Sequence, residues 1–341
     1  MILNRKFLVS VLSVIVGILL IGAILKWSSN YRANREEVAA PSENPEVQES
    51  ILPEYNKLTY YNGSTTLDFV LTEAGTWAWT ADQDFPLNDS VIETIFSLLK
   101  TLDTVQTMPA PEDLEEYGLS STPSATLTAS GEHTSLTLTI GKETEDGGRY
   151  AFKNGNETTL YLMPSALLKA MSIPIYDMMI LPEIPDLLPS RMDFIRIYGN
   201  CKEDGSSETY TIITAQRPQT EETLTDEDIT WRSNGANVTD DPAVQTLLNN
   251  LTTLTIDQCL DYYPSEEAAA LCGFTNPTAK LEVDFHTEGG AEQSLTLTIG
   301  NQLPDGSGRY VRYGDEDPTL YRLSSDTLDA LLRIATEGLE G

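Results

Sequence analysis

One phrase occurs twice in this chain of 341 residues: "SLTLTIG" runs from Ser135 to Gly141 and again from Ser294 to Gly300, 159 positions later. Each copy leads into an acidic, glycine-bearing stretch and an Arg-Tyr pair, "KETEDGGRY" in the first and "NQLPDGSGRY" in the second. Leu136, Leu138 and Ile140 alternate with Thr137 and Thr139, as Leu295, Leu297 and Ile299 do with Thr296 and Thr298. A period of two with one apolar face is what a half-buried strand requires. The glycine ends the strand, the acidic loop turns the chain, and Arg-Tyr starts the neighbouring strand. A hairpin repeated at this distance restricts the chain to two copies of one structural unit.

Other landmarks recur in the same order. "TWAWT" around Trp79 answers "ITWRS" around Trp231 at an offset of 152, Leu119 answers Phe274 at 155, and Tyr161 in "TTLYL" answers Tyr321 in "PTLYR" at 160. Small loop insertions account for the drift. Asn88 or Asp89 caps a predicted helix with Val91, Ile92, Ile95, Leu98, Leu99 and Leu102 on one side. Asp240 or Asp241 with Pro242 starts its counterpart through Val244, Leu247, Leu248 and Leu251. A shorter helix is expected to end at Gly118 or Gly273, positions suited to a left-handed cap, and a last one starts after Pro164 or at Ser324. Consecutive hairpins predict antiparallel sheet with helices on one face. The expected class is α+β: an N-terminal transmembrane helix, then two repeated domains of antiparallel sheet with packed helices, at 57–171 and 193–336, with a tail at 337–341.

Residues 172–192 join the copies. Pro174, Pro182, Pro185 and Pro189 preclude a continuous helix, while Ile173, Ile175, Met178, Met179, Ile180 and Leu181 are too apolar for a solvated linker. The connector is therefore expected to pack between the domains. The functional alternative is a partner-binding surface that uses adaptable methionines.

Phe7 to Leu25 is a run of 19 residues without a charge. As a helix it would rise about 28 Å, matching a hydrocarbon core of about 30 Å. Lys26, Trp27 and two serines follow it, with neither a small-residue cleavage pattern nor a lipobox cysteine, so an uncleaved signal anchor is expected. A short tail at 1–6 precedes it, and a juxtamembrane tether rich in Glu, Pro and Ser follows at 26–56. The lipid bilayer is then a partner through residues 7–25. The expected location is the cell membrane, single-pass, with the bulk of the chain extracytoplasmic.

The formal charge is −31, and every acidic residue lies beyond residue 35, where 16 cations face 52 acids for a net of −36. Such a field repels phosphate backbones, so no nucleic-acid partner is expected. Three cysteines, Cys201, Cys259 and Cys272, allow one bridge at most, with Cys259 and Cys272 the candidate pair. No cysteine or histidine spacing supports a zinc site, and no cofactor is expected.

With these landmarks the chain resembles the bacterial family called domain of unknown function 4340. The resemblance is carried by the N-terminal anchor, Trp79, "YGL" at Tyr117 to Leu119 followed by Pro123, "LTIG" at Leu138 to Gly141, "GRYAF" at Gly148 to Phe152 and "TLYL" at Thr159 to Leu162. The second copy repeats much of this, with "CGF" at Cys272 to Phe274 in place of the Tyr-Gly-Leu phrase. Members look like envelope proteins often encoded beside ABC-type transport or gliding-motility-like components. The resemblance supplies no catalytic residue.

The candidate ligand contacts are Asp146 and Arg149 in the first acidic loop and Asp305 and Arg309 in the second. Each aspartate lies beside glycine, where its carboxylate can accept backbone N–H groups or join an ion site, although the dense calcium-loop pattern is absent. Hairpin punctuation is the simpler reading. The arginines either pair with acidic neighbours or meet an anionic ligand through two parallel N–H groups. His133 and His286 lie at or near exposed turns, and no nucleophile elbow, phosphate-binding loop or dinucleotide fingerprint occurs.

The expected function is a non-enzymatic, membrane-anchored extracytoplasmic accessory or binding module of an envelope ABC-type transport complex. An ABC-type permease or other envelope subunits would be its partners. Two alternatives stand beside it: an envelope hydrolase using Asp and Glu acid–base chemistry, and a structural surface spacer.

Overall fold

In the computed structural model, which describes residues 55–102, 105–120, 122–145, 147–218 and 225–339, each copy of the repeated phrase lies inside a large antiparallel sheet. The first sheet comprises β1 (Lys57–Tyr61), β2 (Thr66–Leu71), β3 (Trp77–Trp79), β4 (Thr107–Pro109), β5 (Ala125–Ser130), β6 (Ser135–Glu143), β7 (Arg149–Lys153) and β8 (Thr159–Met163). Its order is β3-β2-β1-β5-β6-β7-β8-β4. The second comprises β9 (Met192–Cys201), β10 (Ser207–Gln216), β11 (Thr230–Ser233), β12 (Ala236–Asn237), β13 (Gln258–Asp261), β14 (Ala279–His286), β15 (Glu292–Gln302), β16 (Gly308–Tyr313) and β17 (Leu320–Ser324). Its order, β12-β11-β10-β9-β14-β15-β16-β17-β13, repeats the first with one hairpin strand added at the edge. Two antiparallel sheets with few helices make the chain α+β and mostly β, in two repeated domains.

Among the described residues five α-helices accompany the sheets: α1 (Ser90–Leu99), α2 (Ser165–Met171), α3 (Pro242–Thr252), α4 (Glu266–Leu271) and α5 (Ser325–Glu337). Asp241 caps α3, its carboxylate accepting the N–H groups of Ala243 and Val244 at 2.7 and 3.3 Å. Asp89 sits at the N-cap of α1 without a side-chain bond, and Asn88 instead accepts from the Ser90 N–H at 3.2 Å. The shorter helix expected in both copies forms only in the second, as α4, where Ser265 caps it. Residues 114–118 form turns. Both stretches nevertheless end on a left-handed glycine, Gly118 at φ +68° and Gly273 at φ +93°.

The recurring phrases meet where the chain crosses itself. The Lys142 N–H donates to the Tyr117 carbonyl and the Asn301 N–H to the Cys272 carbonyl, both at 2.8 Å. A methyl group at Gly141 would collide with that Tyr117 oxygen, and one at Gly300 with the Cys272 oxygen. Hence "YGL" travels with "LTIG", and "CGF" with its copy. Neither glycine ends its strand, contrary to expectation: β6 continues to Glu143 and β15 to Gln302 through a bulge. The bulge admits an extra residue and bends the strand while pairing resumes beyond it.

Strand register also corrects the equivalence of the tryptophans. Leu58 pairs with Phe69 and with Ala129, which pairs with Leu136; Ile195 pairs with Ile213 and with Val283, which pairs with Leu295. Two residues along, Leu71 faces Trp77 and Ala215 faces Trp231. Trp77 is therefore the counterpart of Trp231, at an offset of 154, and Trp79 lies one pleat away.

One continuous core runs through both repeats, from Leu58, Ile92 and Leu138 to Ile195, Trp231 and Ile334. The connector completes it, with Met178 and Leu187 each 1% exposed. Met179 bridges to Leu87, the Asn88 N–H donates to the Met178 carbonyl at 2.7 Å, and the Ile180 N–H donates to the Pro86 carbonyl at 2.7 Å. From the other side, the Gln258 amide donates to Asp177 at 2.6 Å and the Tyr262 hydroxyl to the Asp84 carbonyl at 3.3 Å. The Phe85 ring meets Tyr262 edge-on with centroids 5.1 Å apart. Packing between the copies thus matches expectation. A smaller cluster of Leu119, Phe152 and Leu160 lies apart from this core, so apolar packing is not confined to the one large cluster.

The anchor expected at 7–25, the tail at 1–6 and nearly all of the tether at 26–56 lie outside the described residues. Among the described residues no helix is long and apolar enough to cross a membrane. All three cysteines are free, so Cys259 and Cys272 are not bridged. Burial pushes the Cys259 thiol up from 9.0 to about 12. Alkylation at pH 8 is accordingly expected to modify Cys259 only after unfolding, checked by mass spectrometry of native and urea-treated protein. Above pH 9 the unfolded chain releases this proton while the folded chain keeps it, so this group lowers stability as pH rises.

Candidate functional site

The two acidic loops have the same turn. The Thr144 N–H donates to the Gly148 carbonyl and the Gly147 N–H to the Thr144 carbonyl; Leu303, Gly308 and Gly306 repeat both bonds at matching distances of 2.9 and 3.0 Å or less. Gly147 and Gly306 supply the positive φ this turn needs, +77° and +73°. Asp146 lies outside the described residues. Asp305 accepts the Ser307 N–H at 3.0 Å and the Ser307 hydroxyl at 2.8 Å, and these bonds hold its pKa below the ordinary 3.8. The carboxylate closes its own loop, the work of hairpin punctuation.

The arginines part company. Arg309 folds onto its own sheet, donating to the Gly300 carbonyl at 2.9 Å and the Thr278 hydroxyl at 3.1 Å, and burial lowers its pKa. Arg149 pairs across the bulge with Glu143 at 3.3 Å and keeps 30% of its side chain exposed. It opens onto a surface cleft of about 430 Å³ between the loop, α2 and the start of the connector. Ser165, Leu168, Lys169 and Ser172 of the α2 segment line that cleft, together with Ile173, Pro174 and Asp177 of the connector. Lys169 is a second cation in a strongly acidic body. A lysine in a short helix carries no motif in sequence, and only the fold brings it to the same cleft as Arg149.

The second copy has no equivalent arrangement. Carrying the register of β7 and β8 onto β16 and β17 places Leu323 opposite Arg309 as Met163 is opposite Arg149, an offset of 160. At that offset Lys169 becomes Asp329, and Gln302 stands opposite Arg309 in the ladder where Glu143 stands opposite Arg149.

The solvent faces of the sheets differ as well. On β9 and β10, Tyr198 stacks on Tyr210 with centroids 4.8 Å apart, and the Arg196 guanidinium lies 5.3 Å from the Phe194 ring centre. Arg196 also holds Asp284 at 2.7 Å, which keeps that carboxyl below its ordinary value, and Lys280 holds Glu282 at 3.0 Å. Phe194 is 39% exposed and Tyr210 50%. Register-matched positions of the first sheet carry Lys57, Thr59, Thr66, Thr126 and Thr128, and keep an aromatic at Tyr61, the counterpart of Tyr198. The clue in sequence was the alternation Phe194, Arg196, Tyr198, outward positions too aromatic for a plain solvated face.

His286, expected at an exposed turn, instead places Nδ1 2.8 Å from Asp193, which also receives Arg217 at 2.6 Å. Arg217 donates further to the Met192 and Ser190 carbonyls at 2.7 and 3.2 Å. This cluster ties the first residues of β9 to the ends of β10 and β14. His133 is exposed beside Glu132. Among the described residues no group of three or more His, Cys, Asp or Glu side chains is placed to hold a metal ion.

Fold and site together define a duplicated α+β scaffold whose copies share topology and turn chemistry but differ at one cleft and on one sheet face. The model of the family described as Domain of unknown function (DUF4340) matches residues 77–180 and again 231–337. The chain belongs to this family, and it carries the domain twice. Both matches begin at the tryptophans that strand register makes equivalent. No curated protein and no solved structure matches the chain.

Proposed function

We propose that this protein is a non-enzymatic, membrane-anchored extracytoplasmic module that serves as an accessory or binding component of an envelope ABC-type transport complex. The observation that carries the binding role is the outer face of β9, β10 and β14. Exposed Phe194 and Tyr210 stand there among a paired Arg196–Asp284 and Lys280–Glu282 grid, the mixture of aromatic anchors and arginine found at protein interfaces. The charge-free run at Phe7–Leu25 supports anchoring, and the net charge of −36 beyond residue 35 favours a partner surface that is basic or neutral. Among the described residues, where surroundings move a carboxylate's pKa, at Asp204, Asp228, Asp284 and Asp305, they move it down. That is the wrong direction for a general acid at neutral pH, which favours a binding role over hydrolysis.

The test is a photocrosslinking residue at position 210 in native membranes, with the same residue at Thr66, its counterpart on the first sheet, as control. A permease or another subunit exposed outside the cytoplasm, crosslinked from position 210 and not from 66, supports the reading. Recovery of no such subunit, under conditions that keep these complexes intact, overturns it.

A further inference from the structure

We infer that the cleft beside Arg149 is a binding site for a carboxylate carried on a small apolar body, and that the second copy has lost it. This goes beyond the accessory role, since it concerns one cleft of the first repeat and holds whatever complex the protein joins. At about 430 Å³ the cleft falls within the usual range for small-molecule sites. Its two cations approach from different elements, Arg149 from the first residue of β7 and Lys169 from α2. A guanidinium has five N–H donors in a fixed fork, and the contact with Glu143 at 3.3 Å leaves room for a second oxygen pair. Lys169 is exposed and free to swing as a point charge toward the same ligand.

The remaining wall selects among anions. Glu143 and Asp177 also face the cleft, the latter held by the Gln258 amide at 2.6 Å, so two carboxylates offset the two cations. A dianion such as phosphate meets these carboxylates at full charge, whereas a monoanion meets them at half. Leu168, Ile173 and Pro174 offer an apolar surface on which a short hydrocarbon or a peptide side chain can lie. The chemistry that fits is therefore a single carboxylate with an apolar neighbour, either a peptide C-terminus or a free organic acid.

Divergence between the copies points the same way. The turn around Gly147 recurs at Gly306 and the topology is the same, so the scaffold has been kept. Arg309, however, turns its Nη1 onto the Gly300 carbonyl and the Thr278 hydroxyl of its own sheet, and Asp329 replaces the lysine. A purely structural arginine would be expected to take the same partners in both copies.

Calorimetric titration of the full chain with N-acetyl-Leu-Ala, its C-terminal amide, hexanoate and inorganic phosphate tests the assignment. The acid peptide is expected to bind at least about tenfold more tightly than its amide and than phosphate, the scale of one charge-assisted hydrogen-bond pair. Arg149→Gln and Lys169→Gln should each weaken it by about tenfold; Lys169, being exposed, can be replaced without risk to folding. Hexanoate matching the peptide assigns a free acid as the natural source, and weaker hexanoate binding assigns a peptide terminus. Equal binding of acid and amide, preference for phosphate, absence of binding, or undiminished binding by Lys169→Gln overturns the proposal.

Discussion

Trp231→Ala is expected to lower the stability of the folded chain by about 3–5 kcal/mol, the usual cost of emptying a large aromatic site in a core. Trp231 is 2% exposed and packed within the large core, so its removal leaves a void among closely packed side chains. The same truncation of Trp77, its register counterpart, is expected to cost less. Trp77 is only half-buried, stacked on Phe96 with centroids 5.1 Å apart. Urea titrations followed by circular dichroism should show the larger fall in midpoint for Trp231→Ala. Equal losses would contradict the different burial of two residues that occupy one place in a repeated fold.

Met178→Ala is the second large effect, about 2–5 kcal/mol by the same reasoning, and it carries a further consequence. Met178 lies in the connector at 1% exposure, and its backbone carbonyl receives the Asn88 N–H of the first repeat. The neighbouring Asp177 receives Gln258 of the second repeat. Loss of the side chain therefore weakens the joint between the two sheets more than either sheet. In hydrogen exchange, amides of the joint, such as those of Asn88 and Ile180, should accelerate before those of β6 or β15. Uniform acceleration across the chain would show that the connector is no weak point.

The repeated hairpin was legible because period-two alternation is a local property that a strand writes into its own sequence. The strand endings were not. Gly141 and Gly300 looked like terminators, yet they are glycines because another part of the chain crosses at Tyr117 or Cys272, a constraint visible only in three dimensions. Spacing alone pairs Trp79 with Trp231, since the insertions that separate the copies leave no mark to decide between two tryptophans one pleat apart. The helix expected before Gly118 failed for a simpler reason. "EEAAA" before Cys272 is rich in the best helix former, whereas "EDLEEY" before Gly118 is not, and the turns there satisfy the same cap without a helix.

Site residues divided along the same line. The loop arginines are visible as a recurring pair, but only their surroundings show that Arg309 turns onto Gly300 and Thr278 of its own sheet while Arg149 faces a cleft. Lys169 and Asp177 come from a helix and a connector that sequence gives no reason to place together. His286, at or near a turn, is expected from sequence to be exposed, whereas its bond to Asp193 depends on β9 pairing with β14, a contact between segments 93 residues apart.

The central structural claim is that the two copies of the domain share one core and fold as one body, with residues Glu54–Gly341 forming a single compact unit. Fluorine NMR of the full chain labelled with 5-fluorotryptophan reads this residue by residue, because Trp77 and Trp79 report on the first sheet and Trp231 on the second. Across a urea titration these three signals are predicted to convert to their unfolded positions at one midpoint. A Trp231 signal that melts at a different urea concentration from Trp77 and Trp79 would mean two independent domains joined by a passive linker, and would contradict the account.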